Sequence, residues 1–439
     1  MLETKMPVKI KVVILVGGPQ RGTRFRPLSL EVPKPLFPVA GFPLLEHHIA
    51  ACKMVEDIGE VILLGYYQLN EIISRFIDDM KRKYKLNIIY FQEYQPLGTA
   101  GGLYHFRDQI ISKHASAVIV IHADIFCILP LNEMLSLFYQ KNQLKDGSHI
   151  VLGTQVHMGN VTTQSEHGNM VVDPISSEIK HYVEKPENSV SAIINCGVYI
   201  FHPSIFKSLS EMYMHNLQKA NEQEDCNSSR NPELMFIGNL FSRIAGNNQL
   251  FCHMLYKSFW GSMKGAGSAI FANKQYLAAY KSNSSIQLAE LASNPPFKME
   301  IIGDVYIHPS AQVDPTAKIG PNVSIGCHCI IGPGVRIRES IILDGAELRE
   351  NCCVIYSIIG WRCLIGAWSR IEGTSSEPNP NYPHTLFNNE SLFHSDGKLI
   401  PSITILGCNV TIPREVIILN SIVLPHKELC SSHKNEIIL

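Results

Sequence analysis

Eight aliphatic residues recur at a spacing of six: Ile301, Ile307, Val313, Ile319, Ile325, Ile331, Ile337 and Leu343. An α-helix needs an apolar period near 3.6 and a half-buried strand a period of two, so neither produces this pattern. A parallel β-helix does, because each face turns one aliphatic inward and then bends at a corner. Glycine follows the aliphatic at 320, 326 and 332, and proline recurs at 309, 315, 321 and 333. The register slips after Leu343 and resumes at Ile359, Ile365 and Ile371, then again at Ile405, Ile417 and Val423. A hexapeptide-repeat domain is therefore expected over 301–439, interrupted by an insertion at 372–401. The insertion contains Glu-Pro-Asn-Pro-Asn-Tyr-Pro, which cannot continue the coils. Its length exceeds that of ordinary loops, and its apolar Leu386, Phe387, Leu392 and Phe393 favour docking.

A different texture precedes residue 300. Val12 to Val16 is a buried-strand run leading into Gly17-Gly18, and similar runs appear at 61–64, 88–91, 118–121, 150–152 and 198–201. Helical patterns at 44–55 and 70–83 lie between them, which predicts βαβ units and a mostly parallel sheet. An α/β domain is expected over 1–283. The segment 216–232 reads as a surface insertion. A Ser/Asn-rich linker, assigned to 284–300, contains Pro295-Pro296.

Lys plus Arg number 38 and Asp plus Glu 39, a net charge of −1, which argues against a general nucleic-acid or acidic-membrane binder. Little long-range repulsion opposes self-association. The most apolar window, 117–131, contains His122, Asp124 and Pro130 and is too short for a bilayer. The first residues lack the pattern of a secretory leader, so a cytosolic location is expected. Twelve scattered cysteines without a Cys-x-x-Cys read as reduced core fillers.

The most informative local string is Gly17-Gly18-Pro19-Gln20-Arg21-Gly22-Thr23-Arg24, followed by Pro33-Lys34-Pro35. A glycine-rich loop after a first strand lets backbone N–H groups approach phosphate oxygens, and Arg24 and Lys34 can add charge-assisted contacts. This string resembles the G-G-x-G-T-R…P-K-P motif of sugar-phosphate nucleotidyltransferases. The resemblance continues in order through Gln92-Glu93 and Gly98-Thr99 (the family's nucleobase loop) and Asp124 (its metal-binding aspartate). It extends through Gly168, Glu184-Lys185 and Asn195 (its sugar-phosphate elements). It implies a Rossmann-like domain followed by a left-handed β-helix, with GDP-mannose pyrophosphorylases the most similar members. One carboxylate can accept both guanine N1–H and N2–H, which suits Glu93 to that base. Lys185 can neutralise a sugar phosphate, Glu184 and Asn195 can bond sugar hydroxyls, and Asp124 suits Mg²⁺.

Two positions depart from the family pattern. Pro19-Gln20-Arg21 lengthens the phosphate loop by two residues, and a misplacement of about 1 Å can cost on the order of 10²-fold in rate. Ser262, followed by Lys264, stands where active members carry a second metal-binding Asp in W-x-D-x-G. A hydroxyl beside an ammonium is a poor substitute for that anion. These features resemble the regulatory alpha subunits of the GDP-mannose pyrophosphorylase family. That implies a weakened Mg²⁺ site, binding of GDP-mannose, and a catalytic beta subunit as partner. The insertion, with Pro378, Asn379, Pro380, Leu392 and Phe393, is the expected regulatory loop. Three other readings stay open on sequence: an active mannose-1-phosphate guanylyltransferase, a scaffold without ligand, and acyl transfer on the β-helix.

Overall fold

The computed structural model describes all residues except 1–8, 20–22, 112–114, 156–166, 187–189, 223–230, 257, 283–287, 289–298, 376–398 and 400. The chain divides by its internal contacts into two compact units, Met1–Arg21 with Leu45–Trp260 and Gly22–Leu44 with Gly261–Leu439.

The first unit is built on a nine-stranded sheet. Its strands are β1 (Lys9–Gly17), β2 (Ile58–Gly65), β3 (Ile88–Gln92), β4 (Ala115–His122), β5 (His149–Gln155), β6 (Asn169–Val172), β7 (Ile179–Val183), β8 (Ile193–Phe201) and β9 (Leu250–Met254). The main order is β7-β6-β8-β4-β1-β2-β3, with β5 pairing both β8 and β9. Val12, Val13 and Ile14 are fully buried, as an unbroken apolar run requires when helices cover both faces of a central strand. β1 runs parallel to β2 and β4, and β2 to β3. The expectation of a mostly parallel sheet holds for this half. In the other half β8 runs antiparallel to β4, β5 and β6.

Helix α1 (Glu71–Tyr84) starts where Asn70 Oδ1 accepts from Ile73 N at 3.0 Å, a side-chain cap. Helix α2 (Gly98–His105) follows β3. Helix α3 (Ile205–Glu222) runs through the first part of the expected insertion at 216–232, so Asn216 continues regular structure. The short α4 (Ile237–Ile244) buries Ile237, Leu240, Phe241 and Ile244 against the same core as β4 and β8.

The second unit carries the stacked coils that the hexad predicts, with three columns of seven, seven and five parallel strands. Ile301 pairs with Ile319 and Ile319 with Ile337, while Ile307 pairs with Ile325 and Val313 with Ile331. The register slip has a simple cause. Ile325 pairs with Ile342 and Ile331 with Leu348, so each coil from there to the insertion is one residue shorter. Ile342, not Leu343, therefore continues the column of Ile325, although both are buried. Ile358 then pairs with Ile405 across the insertion, which leaves the stack unbroken.

Two segments outside 301–439 belong to this unit, so the division differs from the boundary expected at 283. Helix α5 (Ala266–Ser282) packs on the hairpin Pro38–Val39/Phe42–Pro43. Asn273 is fully buried there; its Oδ1 accepts from Ala40 N at 2.8 Å and its Nδ2 donates to Asn322 O at 3.2 Å. Phe42 and Phe37 lie against Tyr306 and Trp361 of the coils, with centroids 5.3 and 6.2 Å apart. Helix α5 also packs on the strand Val323–Ile325 of the coils.

Candidate functional site

In the first unit the expected residues gather at the carboxyl ends of β1 to β4, where open α/β sheets bind ligands. β1 ends at Gly17, with φ +74° and its carbonyl accepting from Tyr66 N at 2.8 Å. A Cβ on Gly18 would stand 2.9 Å from Cβ of Tyr66, so the loop start lies flat on that residue. Next to it is a cleft of about 430 Å³, lined by Pro19, Tyr66, Gln68, Asn70, Gln92, Glu93 and Tyr94 among others. It brings Pro19 of the phosphate-loop start together with Gln92 and Glu93.

Glu93 is held against α2. A Cβ at Gly102 would meet Glu93 Oε1 at 2.1 Å, so glycine there is what lets the carboxylate lie on the helix. Gly98 has φ +78°, and a Cβ on it would stand 2.3 Å from Met235 O. The N–H groups of Ala100 and Gly101 both donate to that carbonyl, at 3.0 and 3.3 Å. Thr99 Oγ1 accepts from Ile237 N at 3.0 Å, capping α4. Gly98 and Thr99 thus shape the loop and tie it to residues 235–237.

Glu184 and its neighbours form a second cluster. Tyr182 Oη donates to Glu184 Oε2 at 2.6 Å, and burial pushes the Tyr182 phenol well above its ordinary range, keeping it a donor. A Cβ at Gly168 would meet Tyr182 Oη at 2.0 Å, and one at Gly238 would meet Glu184 Oε2 at 2.2 Å. Asn195 Nδ2 donates to Tyr182 Oη and Tyr199 Oη at 3.2 and 3.0 Å, and its Oδ1 accepts from Gly197 N at 2.9 Å. Both amide protons of Asn195 are therefore committed inside the chain, and it positions Tyr182. Glu184 and Lys185 are exposed, Lys185 with φ 45°.

Asp124 follows β4 directly. His122, the last residue of that strand, has its Nε2 buried without a hydrogen-bond partner. Burial pushes its pKa down, against the opposing pull of Asp124 and Glu184. The ring lies beside Gly197 and 5.6 Å from the Tyr199 ring. The Asp124 and Glu184 carboxylates thus both act on this histidine.

Arg24, Lys34 and Ser262 belong to the second unit. Arg24 is exposed in a short turn, Lys34 is 9 % exposed, and Ser262 is 6 % exposed at the end of a short strand. Gln20, Arg21 and Gly22 lie outside the described residues, as do Pro378, Asn379, Pro380, Leu392 and Phe393. Sequence reasoning missed Tyr182, Gly238, Met235 and His122. Tyr182 lies two residues before Glu184, near the end of β7, and was findable by that proximity. Gly238 and Met235 are distant in sequence, and only the tertiary fold brings them to the site.

Residues 11–240 match the family described as Nucleotidyl transferase, and residues 301–438 the one described as GMPPB C-terminal domain. The chain is 49% identical over 433 residues to a protein of Danio rerio named mannose-1-phosphate guanylyltransferase regulatory subunit alpha-B. It is 50% identical over 433 residues to the alpha-A protein of that fish and 47% over 437 to the human regulatory subunit alpha. Each alignment covers 98% of this chain and 100% of the relative.

Proposed function

Because the chain belongs to the mannose-1-phosphate guanylyltransferase family, among its regulatory alpha subunits, we propose that it is a catalytically silent, product-sensing partner of a catalytic beta subunit. In this reading it binds GDP-mannose and conveys feedback inhibition. The observation that carries it is an asymmetry. The cleft at Glu93 and the cluster at Glu184 are built, whereas the position of the second metal carboxylate is Ser262.

Mg²⁺ takes oxygen donors in octahedral geometry. Asp124 supplies one carboxylate and the second carboxylate position is Ser262, so the donor set fits Mg²⁺ poorly. Glu93 would accept from guanine N1–H and N2–H, with Gln92 beside it. Glu184, oriented by Tyr182, would accept from mannose hydroxyls. Lys185 would neutralise charge on the diphosphate. The insertion 372–401, with Pro378, Asn379, Pro380, Leu392 and Phe393, would reach the catalytic subunit. Product would bias the loop only by binding its two states with different affinity.

Purified chain given GTP, Mg²⁺ and mannose 1-phosphate should release no pyrophosphate, while GDP-mannose should give saturable heat in calorimetry. Unaided pyrophosphate release would establish an active enzyme instead, and absence of heat a scaffold. Deleting residues 376–395 should abolish product inhibition of the assembled enzyme and leave GDP-mannose binding intact.

A further inference from the structure

Away from these clusters, the second unit brings together three side chains of a kind that transition metals take. Glu31 comes from the segment Gly22–Leu44, and Cys408 and His426 from the β-helix coils. Glu31 Oε1 lies 2.6 Å from Cys408 Sγ and 3.0 Å from His426 Nε2, and Sγ and Nε2 are 3.9 Å apart. Among the described residues this is the one group of three such ligands within reach of a single ion. We propose that Glu31, Cys408 and His426 bind a zinc-type divalent cation, with water in the fourth position.

The donor chemistry selects the ion. Thiolate, imidazole and carboxylate together suit Zn²⁺, whereas Mg²⁺ and Ca²⁺ take oxygen alone. With bonds of about 2.0–2.3 Å, ligand atoms on a tetrahedral ion sit roughly 3.3–3.8 Å apart. The Sγ–Nε2 separation is already close to that range, and the two edges at Oε1 need only a small rotation of the Glu31 carboxylate. Cys408 is 2 % exposed, while the Glu31 and His426 side chains are 37 % and 63 % exposed, so water reaches one side of the triangle.

The surroundings set the orientation. Arg362 Nη2 lies 3.8 Å from the other carboxylate oxygen, Oε2, which leaves Oε1 for the ion. Its single positive charge is outweighed by two anionic ligands. Arg362 Nε donates to Asn409 Oδ1 at 2.9 Å, and Asn409 Nδ2 lies 3.2 Å from His426 Nδ1. Binding through Nε2 places a proton on Nδ1, so the Asn409 amide must turn over to accept it and release Arg362. Loading exchanges the Cys408 thiol proton for the S–Zn bond, the proton leaving to solvent, with no change of oxidation state. The ion would clip together residues 377 positions apart in sequence, fixing the segment that carries Arg24 and Lys34.

The test uses the full chain, stripped by chelator and titrated with Co²⁺. A stoichiometric sulfur-to-cobalt charge-transfer band is expected, displaced by Zn²⁺. Zn²⁺, and not Mg²⁺, should raise the melting temperature. Cys408→Ser should lose the band, His426→Ala should weaken the metal by about tenfold or more, and Cys430→Ser should change neither. Circular dichroism shows whether each variant is folded; if Cys408→Ser is not, the His426→Ala titration decides. A folded chain without the band, or a band that survives in folded Cys408→Ser or at full affinity in His426→Ala, overturns the proposal.

Discussion

Gly238→Ala isolates the sugar end of the proposed site. Gly238 is the second residue of α4, and the added Cβ would stand 2.2 Å from Glu184 Oε2, 2.8 Å from Cδ and 3.1 Å from Cγ. The carboxylate must withdraw by roughly 1 Å or more to restore ordinary contact, and its 2.6 Å bond from Tyr182 then breaks. Hydrogen bonds to charged groups contribute about 1.5–3 kcal/mol, and the exposure of Glu184 places it at the lower end. One such bond lost to a mannose hydroxyl corresponds to roughly tenfold in affinity. The fold should tolerate the change, since alanine is better than glycine in a helix by about 1 kcal/mol. Calorimetry on the full chain should show GDP-mannose weakened about tenfold, with GDP unchanged, because Glu93 and its cleft are untouched. Equal weakening of both ligands, or of neither, would refute the placement of Glu184 at the sugar.

Three further perturbations test the fold. Asn273→Ala leaves Ala40 N and Asn322 O without their buried partner and should cost about 2–4 kcal/mol in urea unfolding, whereas an exposed control such as Asn247→Ala should cost almost nothing. Glu60→Gln removes the charge that Lys11, 3 % exposed, meets on Glu60 and should destabilise by about 1.5–3 kcal/mol; no measurable cost would mean that the pair contributes nothing. His149 has its pKa pushed down to about 3, by burial first and by the neighbouring His202 second. The unfolded state therefore binds more protons below pH 6.5, so stability is complete above that pH and falls as acid is added, by about 2 kcal/mol at pH 5. Urea midpoints of the wild type and His149→Gln between pH 7 and pH 5 check this, the variant losing that share of the dependence.

The hexad made the β-helix legible because an inward column repeats one residue type at one spacing, which no other element mimics. It could not reveal the shorter coils after Ile342. A one-residue deletion there leaves Ile342 and Leu343 side by side, and both are apolar. The Val12–Val16 run and the glycine loop placed the carboxyl ends of the sheet correctly, since strand direction and turn chemistry are local. The grouping of Gly22–Leu44 and of the helix Ala266–Ser282 with the β-helix was not legible. Asn273 and Phe42 bind the β-helix through contacts that no local composition announces. Asn195 was legible as a polar residue and not as a committed one. Its partners Tyr182 and Tyr199 reach it only once β7 and β8 are folded into one sheet.

The proposed role is regulation without turnover. The most direct measurement is pyrophosphate release by the catalytic beta subunit, with and without this chain, across a GDP-mannose titration. No release is expected from this chain alone, and inhibition by GDP-mannose should set in only when this chain is present. Release by this chain alone at the rate of its partner, or an inhibition curve that its addition leaves unchanged, would contradict it.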